Sequence, residues 1–135
     1  MDELPWRARL KARIEQLVAD ARAQAIRVYD ARGQLIASTG EFGDVDPFAL
    51  PELIYSNQPE GPLDFLWAPR TTRDGRSVSR ALVGERALVC VLSDRRTTLG
   101  LVRLRVKQAA GELDELLAGA SLDVITEADL ERLFG

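Results

Sequence analysis

Six consecutive apolar residues, Ala87-Leu-Val-Cys-Val-Leu92, constrain this chain more than any other feature. A run so short, following the turn-forming Gly84-Glu85-Arg86, reads as a β-strand. Successive side chains of a strand point to opposite faces, so a strand that is apolar throughout must be covered on both. The chain therefore needs a sheet with this segment near its centre and further structure packed against it.

Two amphipathic segments can supply that cover. From Leu4 to Ala25 the residues Trp6, Leu10, Ile14, Leu17, Val18 and Ala21 recur at steps of three and four, which is one face of a helix. Asp2 and Glu3 suit the positive end of its dipole, and Pro5 suits its first turn. Arg7, Arg9, Lys11 and Arg13 make the opposite side basic, a solvated face or a surface for an acidic partner or membrane. The second long helix starts at Thr97 or Thr98, buries Leu99, Val102, Val106, Ala109, Leu113, Leu116 and Leu117, and ends at Gly119 or Ser121.

Between the helices lie hairpins. In Val28-Tyr-Asp-Ala-Arg-Gly-Gln-Leu-Ile-Ala-Ser38, Asp30 and Gly33 bracket a tight turn between apolar strands. Asp46-Pro47 reads as the cap and first turn of a short helix that Pro51 interrupts. That helix either restarts through Leu53, Ile54 and Tyr55 or gives way to an irregular turn, and Asn57 to Pro62 ends it. Leu63, Phe65 and Trp67 alternate in a strand running to Arg70, Thr72 to Gly75 turns the chain, and Arg76 to Val83 returns. After the last long helix, Thr126 reads as an N-cap with Asp129 three residues on, flanked by Ile125 and Leu130 as a staple.

The expected fold is an α+β sandwich in the order α-β-β-α-β-β-β-α. It has a five-stranded antiparallel sheet, with the first and last helices on one face and the short middle helix on the other. Residues 1–120 form the domain. Residues 121–135 form a tail beyond the hinge Gly119-Ala-Ser121, with Leu130, Leu133 and Phe134 along one side, and read as a separable recognition element.

Composition excludes much chemistry. The chain has 135 residues, a net charge of −3 and no histidine, which removes His triads, His general bases and His-containing metal sites. The charge is too small and of the wrong sign for a binder driven by phosphate contacts. Cys90 is the single cysteine, so no internal disulfide forms, and its place in an apolar strand makes it a buried thiol. No phosphate loop, nucleophile elbow or calcium loop occurs. Met1 to Arg13 is charged throughout and lacks a secretory pattern, and no apolar stretch spans a membrane, so the expectation is a cytoplasmic chain. Arg70, Arg73 and Arg76 crowd one hairpin tip and Arg95-Arg96 another loop; an arginine offered to a nucleotide pocket is the one enzymatic role they could play. The residues otherwise point to a binding module without catalysis or cofactor.

The first hairpin, Val28 to Ser38, resembles that of the roadblock/dynein-light-chain family. Ala87 to Leu92 followed by Thr98-Leu-Gly-Leu-Val-Arg103 resembles that family's last strand and the start of its last helix. The order of elements agrees over residues 4–118. The tail Ile125-Thr-Glu-Ala-Asp-Leu-Glu-Arg-Leu-Phe134 is similar to that of the bacterial MglB/MglC branch. The resemblance implies a homodimer, joined edge to edge through the sheets and middle helices, in a small Ras-like GTPase circuit that governs cell polarity and gliding motility. It implies a roadblock paralogue of the MglB kind as partner, with the Ras-like GTPase the other candidate. The short middle helix favours an MglC-like adaptor; the alternative is a direct GTPase-activating or effector partner. The residues expected at dimer or partner interfaces are Phe48, Leu53, Ile54, Tyr55, Phe65, Trp67, Leu130, Leu133 and Phe134.

Overall fold

The computed structural model describes residues 5–46, 53–56, 65–72, 75–120, 122–126, 128–129 and 132. In chain order the elements are α1 (Pro5–Ala21), β1 (Ala25–Tyr29), β2 (Leu35–Thr39), β3 (Leu53–Ser56), β4 (Phe65–Thr72), β5 (Ser77–Val83), β6 (Ala87–Ser93) and α2 (Leu99–Ala118). The strands form one sheet in the order β2-β1-β6-β5-β4-β3, with every neighbouring pair antiparallel. The apolar run is β6, and it lies between β1 and β5 as its composition requires.

The expected α+β order holds, with α1 and α2 on one face of an antiparallel sheet, and all five expected strands are present. A sixth strand joins them. Residues 53–56, read as a restarted helix or an irregular turn, form β3 at the sheet edge, with Ser56 opposite Arg70 and Leu53 opposite Thr72. The rest of the expected middle helix, including Phe48, lies outside the described residues. Among those residues the helices occupy one face only.

Period-two alternation assigns each side chain to a face. Ile26, Val28, Ala81, Val83, Ala87, Val89, Val91, Phe65 and Trp67 meet α1 and α2 in the main core. Leu10, Ile14 and Leu17 come from α1, and Val102, Val106, Ala109, Leu113 and Leu117 from α2. The two helices are also bridged by Arg13 and Glu112 at 2.9 Å. Glu112 is largely exposed, so that pair contributes less than ~1 kcal/mol, whereas each fully buried Leu, Ile or Val contributes about 1.5–3 kcal/mol. Apolar burial holds the helix layer.

On the outer face, Tyr29, Val78, Leu88, Cys90 and Leu92 pack with Phe42 and Val45 from the loop after β2. Local chemistry sets the ends of these elements. Asp30 Oδ1 accepts from the Arg32 and Gln34 amides at 2.9 Å each, and Gly33 sits at φ +79°, closing the first hairpin as its sequence demands. Thr98 caps α2 by accepting from the Leu101 amide at 3.3 Å.

Candidate interaction surface

Candidate features gather at two ends of the sheet. At one, the arginine-rich hairpin tip and the loop before α2 come together although they are well separated in sequence. Arg95 lies over Gly75, where a Cβ would sit 3.2 Å from the Arg95 Cβ. Arg76 pairs with Asp44 at 3.2 Å, and Asp94 accepts from the Arg96 amide at 2.9 Å. Thr97 Oγ1 donates to the Arg22 carbonyl at 2.6 Å, tying the end of α1 to the start of α2. Arg73 lies outside the described residues.

Further along the outer face, β1, β6, β5 and β4 place Arg27, Cys90, Arg80 and Ala68 side by side. The Arg27 guanidinium stacks over Phe42 at 4.7 Å and donates to the Tyr29 hydroxyl at 3.4 Å. Arg80 is buried, which lowers its pKa to about 10, with the charge of Arg70 adding to the effect. Burial pushes the Cys90 thiol up to about 12 against the pull of Arg80 and Arg27, and raises Tyr29 as well. A neutral buried thiol and a protonated phenol are poor nucleophiles at neutral pH. Among the described residues no group of Cys, Asp and Glu is placed to hold a metal ion. No helix there is long and apolar enough to cross a membrane.

The other end is built by the tail. Leu122 packs against the main core, and the chain then passes the β5–β6 turn to reach the outer face. There Ile125 is fully buried against Ala31, Leu82 and Leu66. Its amide donates to the Glu85 carbonyl at 2.6 Å, and Arg86 Nη1 donates to the Leu122 carbonyl at 3.2 Å. Arg132 Nη2 donates to the Ala31 carbonyl at 2.6 Å. Thr126 and Asp129 cap each other: the Thr126 amide and hydroxyl donate to Asp129 Oδ2 at 2.9 and 3.0 Å, and the Asp129 amide donates to Thr126 Oγ1 at 3.2 Å. The tail was expected to stand apart from the domain. At Leu122 and Ile125 it is part of it, because two aliphatic side chains and hydrogen bonds at the Leu122 carbonyl and the Ile125 amide fix it there.

The residues expected at interfaces divide three ways. Phe65 and Trp67, expected to face a partner, turn into the domain's own core with rings stacked at 6.4 Å. They are only 9% and 3% exposed, because α2 crosses the face they occupy. Leu53, Ile54 and Tyr55 lie on β3, the edge strand. Phe48, Leu130, Leu133 and Phe134 lie outside the described residues. Sequence reasoning missed Phe42 and Val45 as cover for the outer face; two apolar residues three apart in a Gly-rich loop were the available signal.

No protein-family model and no curated protein sequence matches the chain. Solved structures do. MglB of Myxococcus xanthus aligns over 91% of this chain and 97% of its own, at 28% identity and a TM-score of 0.61. The fold is that of MglB. The Thermus thermophilus gliding protein MglB agrees at a TM-score of 0.64 and 15% identity, covering 88% of this chain and 96% of its own. An MglB with a tetrameric arrangement agrees at 0.63 and 18%, covering 89% and 96%.

Proposed function

We propose that this chain is a non-catalytic roadblock adaptor in a small Ras-like GTPase circuit that controls cell polarity and gliding motility. It acts as a homodimer that binds a roadblock paralogue of the MglB kind, the role of an MglC-like protein. The observation that carries this reading is the alignment with MglB over nearly the whole of both chains. Self-association is supported by the tetrameric arrangement of one MglB and by the position of β3. The outer edge of β3 has no strand partner among the described residues, and an open edge is a template for pairing with a second chain. Leu53, Ile54 and Tyr55 on that edge, with Phe48 nearby in sequence, are the proposed dimer residues. Leu130, Leu133 and Phe134 are the proposed partner-binding residues of the tail, residues 121–135.

A second reading has its own observation. Arg76 and Arg95 converge on one end of the sheet, where an arginine offered to a nucleotide pocket would act directly on GTP hydrolysis. One assay separates the two. GTP hydrolysis by the cognate GTPase is measured alone, with its MglB-type paralogue, and with this protein, then repeated with Arg73→Ala and Arg95→Ala. The adaptor reading expects binding to the paralogue and, without it, hydrolysis unchanged within about twofold. Tenfold or greater stimulation that either substitution removes would overturn it. A monomer by sedimentation at micromolar concentration would overturn the homodimer.

A further inference from the structure

The charges of α2 are ordered in a way that does not serve the helix itself. Arg103, Arg105 and Lys107 lie in its first half, Glu112, Asp114 and Glu115 in its second. The helix dipole favours the opposite order. Packing against α1 does not account for it either. Glu112 reaches Arg13, but Lys107 and Asp114 stand on the other flank, along a hollow of about 270 Å³ shared with Gly84 and Phe65. Lys107, Asp114 and Glu115 are exposed, and none makes an ion pair among the described residues. The crest between the flanks holds Leu104, 49% exposed, and Gly111, where a Cβ would meet nothing within 4 Å.

This order restricts what can cover the face. A partner of one sign, such as an acidic segment or an anionic membrane, would meet like charge over half of it. A helix laid antiparallel on α2 must be basic where α2 is acidic, and acidic where α2 is basic. The order of α2 itself meets that requirement. When two copies of α2 cross antiparallel at residues 110–111, Lys107 of each falls opposite Asp114 of the other. Helical periodicity puts these two on one flank and Arg105 and Glu115 on the other, where they pair in the same register. Leu104 then falls opposite Ala118 on the crest, and Gly111 lies at the crossing. We propose that the outer face of α2 docks antiparallel on the same face of a second copy, an isologous contact in which each charge pair occurs twice. It is separate from the β3 edge and does not depend on a GTPase circuit.

A charge exchange in the full chain tests it. Gly111→Cys puts a thiol at the crossing, where mild oxidation joins two copies by a disulfide, while Cys90 stays buried. The cross-linking rate is measured at one protein concentration with native α2 charges, with Lys107→Glu, with Asp114→Lys, and with both. Reaction with a small thiol reagent corrects for any change in the reactivity of the thiol. Each single change sets like charges against each other in both pairs and should slow the disulfide by about tenfold or more. The double change inverts each pair and should return the rate to near that of the native charges. So should mixing the two single variants. Equal rates throughout, no covalent dimer with native charges, or a double variant as slow as the single ones would overturn the proposal. If Asp114→Lys does not fold, Arg105→Glu and Glu115→Lys make the same exchange on the other flank, with the same ordering expected.

Discussion

Replacing Trp67 with alanine separates two roles that the same side chain could have. Trp67 is 3% exposed and stacks against Phe65 beneath α2. A tryptophan buries about 150–250 Å², which at ~25 cal/mol/Å² corresponds to roughly 4–6 kcal/mol. Measured losses for such truncations run at about 3–5 kcal/mol because the site partly collapses. With an unfolding entropy near ~2.1 cal/mol/K per residue, a loss of ~4 kcal/mol lowers Tm by roughly 14 °C in a chain of 135 residues. Thermal unfolding followed by circular dichroism measures this, and sedimentation below the variant's Tm measures its oligomeric state. The core role expects the large loss of Tm with oligomeric state unchanged. A Tm within about 4 °C of wild type, together with dissociation into monomers, would refute it.

Three further outcomes follow from particular contacts. Gly84 is at φ +62°, and a Cβ there would collide with the Asp114 carboxylate, so Gly84→Ala should lose about 1–3 kcal/mol in chemical denaturation. Asp114→Ala in the same chain should relieve the collision but not the backbone strain; full recovery would show that φ carries no cost. Cys90, with its pKa at about 12, should resist a thiol reagent in the native protein at mildly alkaline pH, where its thiolate fraction is on the order of 10⁻⁴, and label at once in denaturant; rapid native labelling would contradict its burial. Hydrogen bonds from the Thr126 amide and hydroxyl hold the Asp129 carboxyl below its usual value, so its contribution to tail order is present above the unfolded pKa and is lost as pH falls through the lower folded one. Exchange protection at Thr126 should therefore decline over that acid range, and Asp129→Asn should abolish the dependence.

What was legible in the sequence is what local chemistry decides. Asp30 and Gly33 specify their hairpin, Thr98 its helix cap, and Ala87 to Leu92 its central place, each within a few residues. Two segments were not decided locally. Leu53-Ile-Tyr between prolines fits a helical or an extended period equally well over so few residues, and its hydrogen bonding to β4 settles it as β3. The alternation of Phe65 and Trp67 identified one face of a strand but not which face. That depends on where α1 and α2 lie, information held far away along the chain. Ile125 read as a staple for its own short helix. Its partners, Ala31, Leu66 and Leu82, come from three separate parts of the chain, so only the assembled sheet reveals its anchoring role.

The strand order has a consequence for how the molecule is made. Of the described strands β1 is made before the others, yet its two sheet neighbours are β2, which follows at once, and β6, which is made after all the rest. Until β6 emerges, the inner edge of β1 is bare, with Ile26 and Val28 lacking Val91 and Val89 beside them. The later strands meanwhile zip up as successive hairpins of their own. The seam between β1 and β6 closes late, and nonlocal closure of this kind slows folding. A nascent chain halted before Ser93 exposes unpaired edges on both halves of the sheet, which is the state most open to mispairing with its neighbours on a polysome.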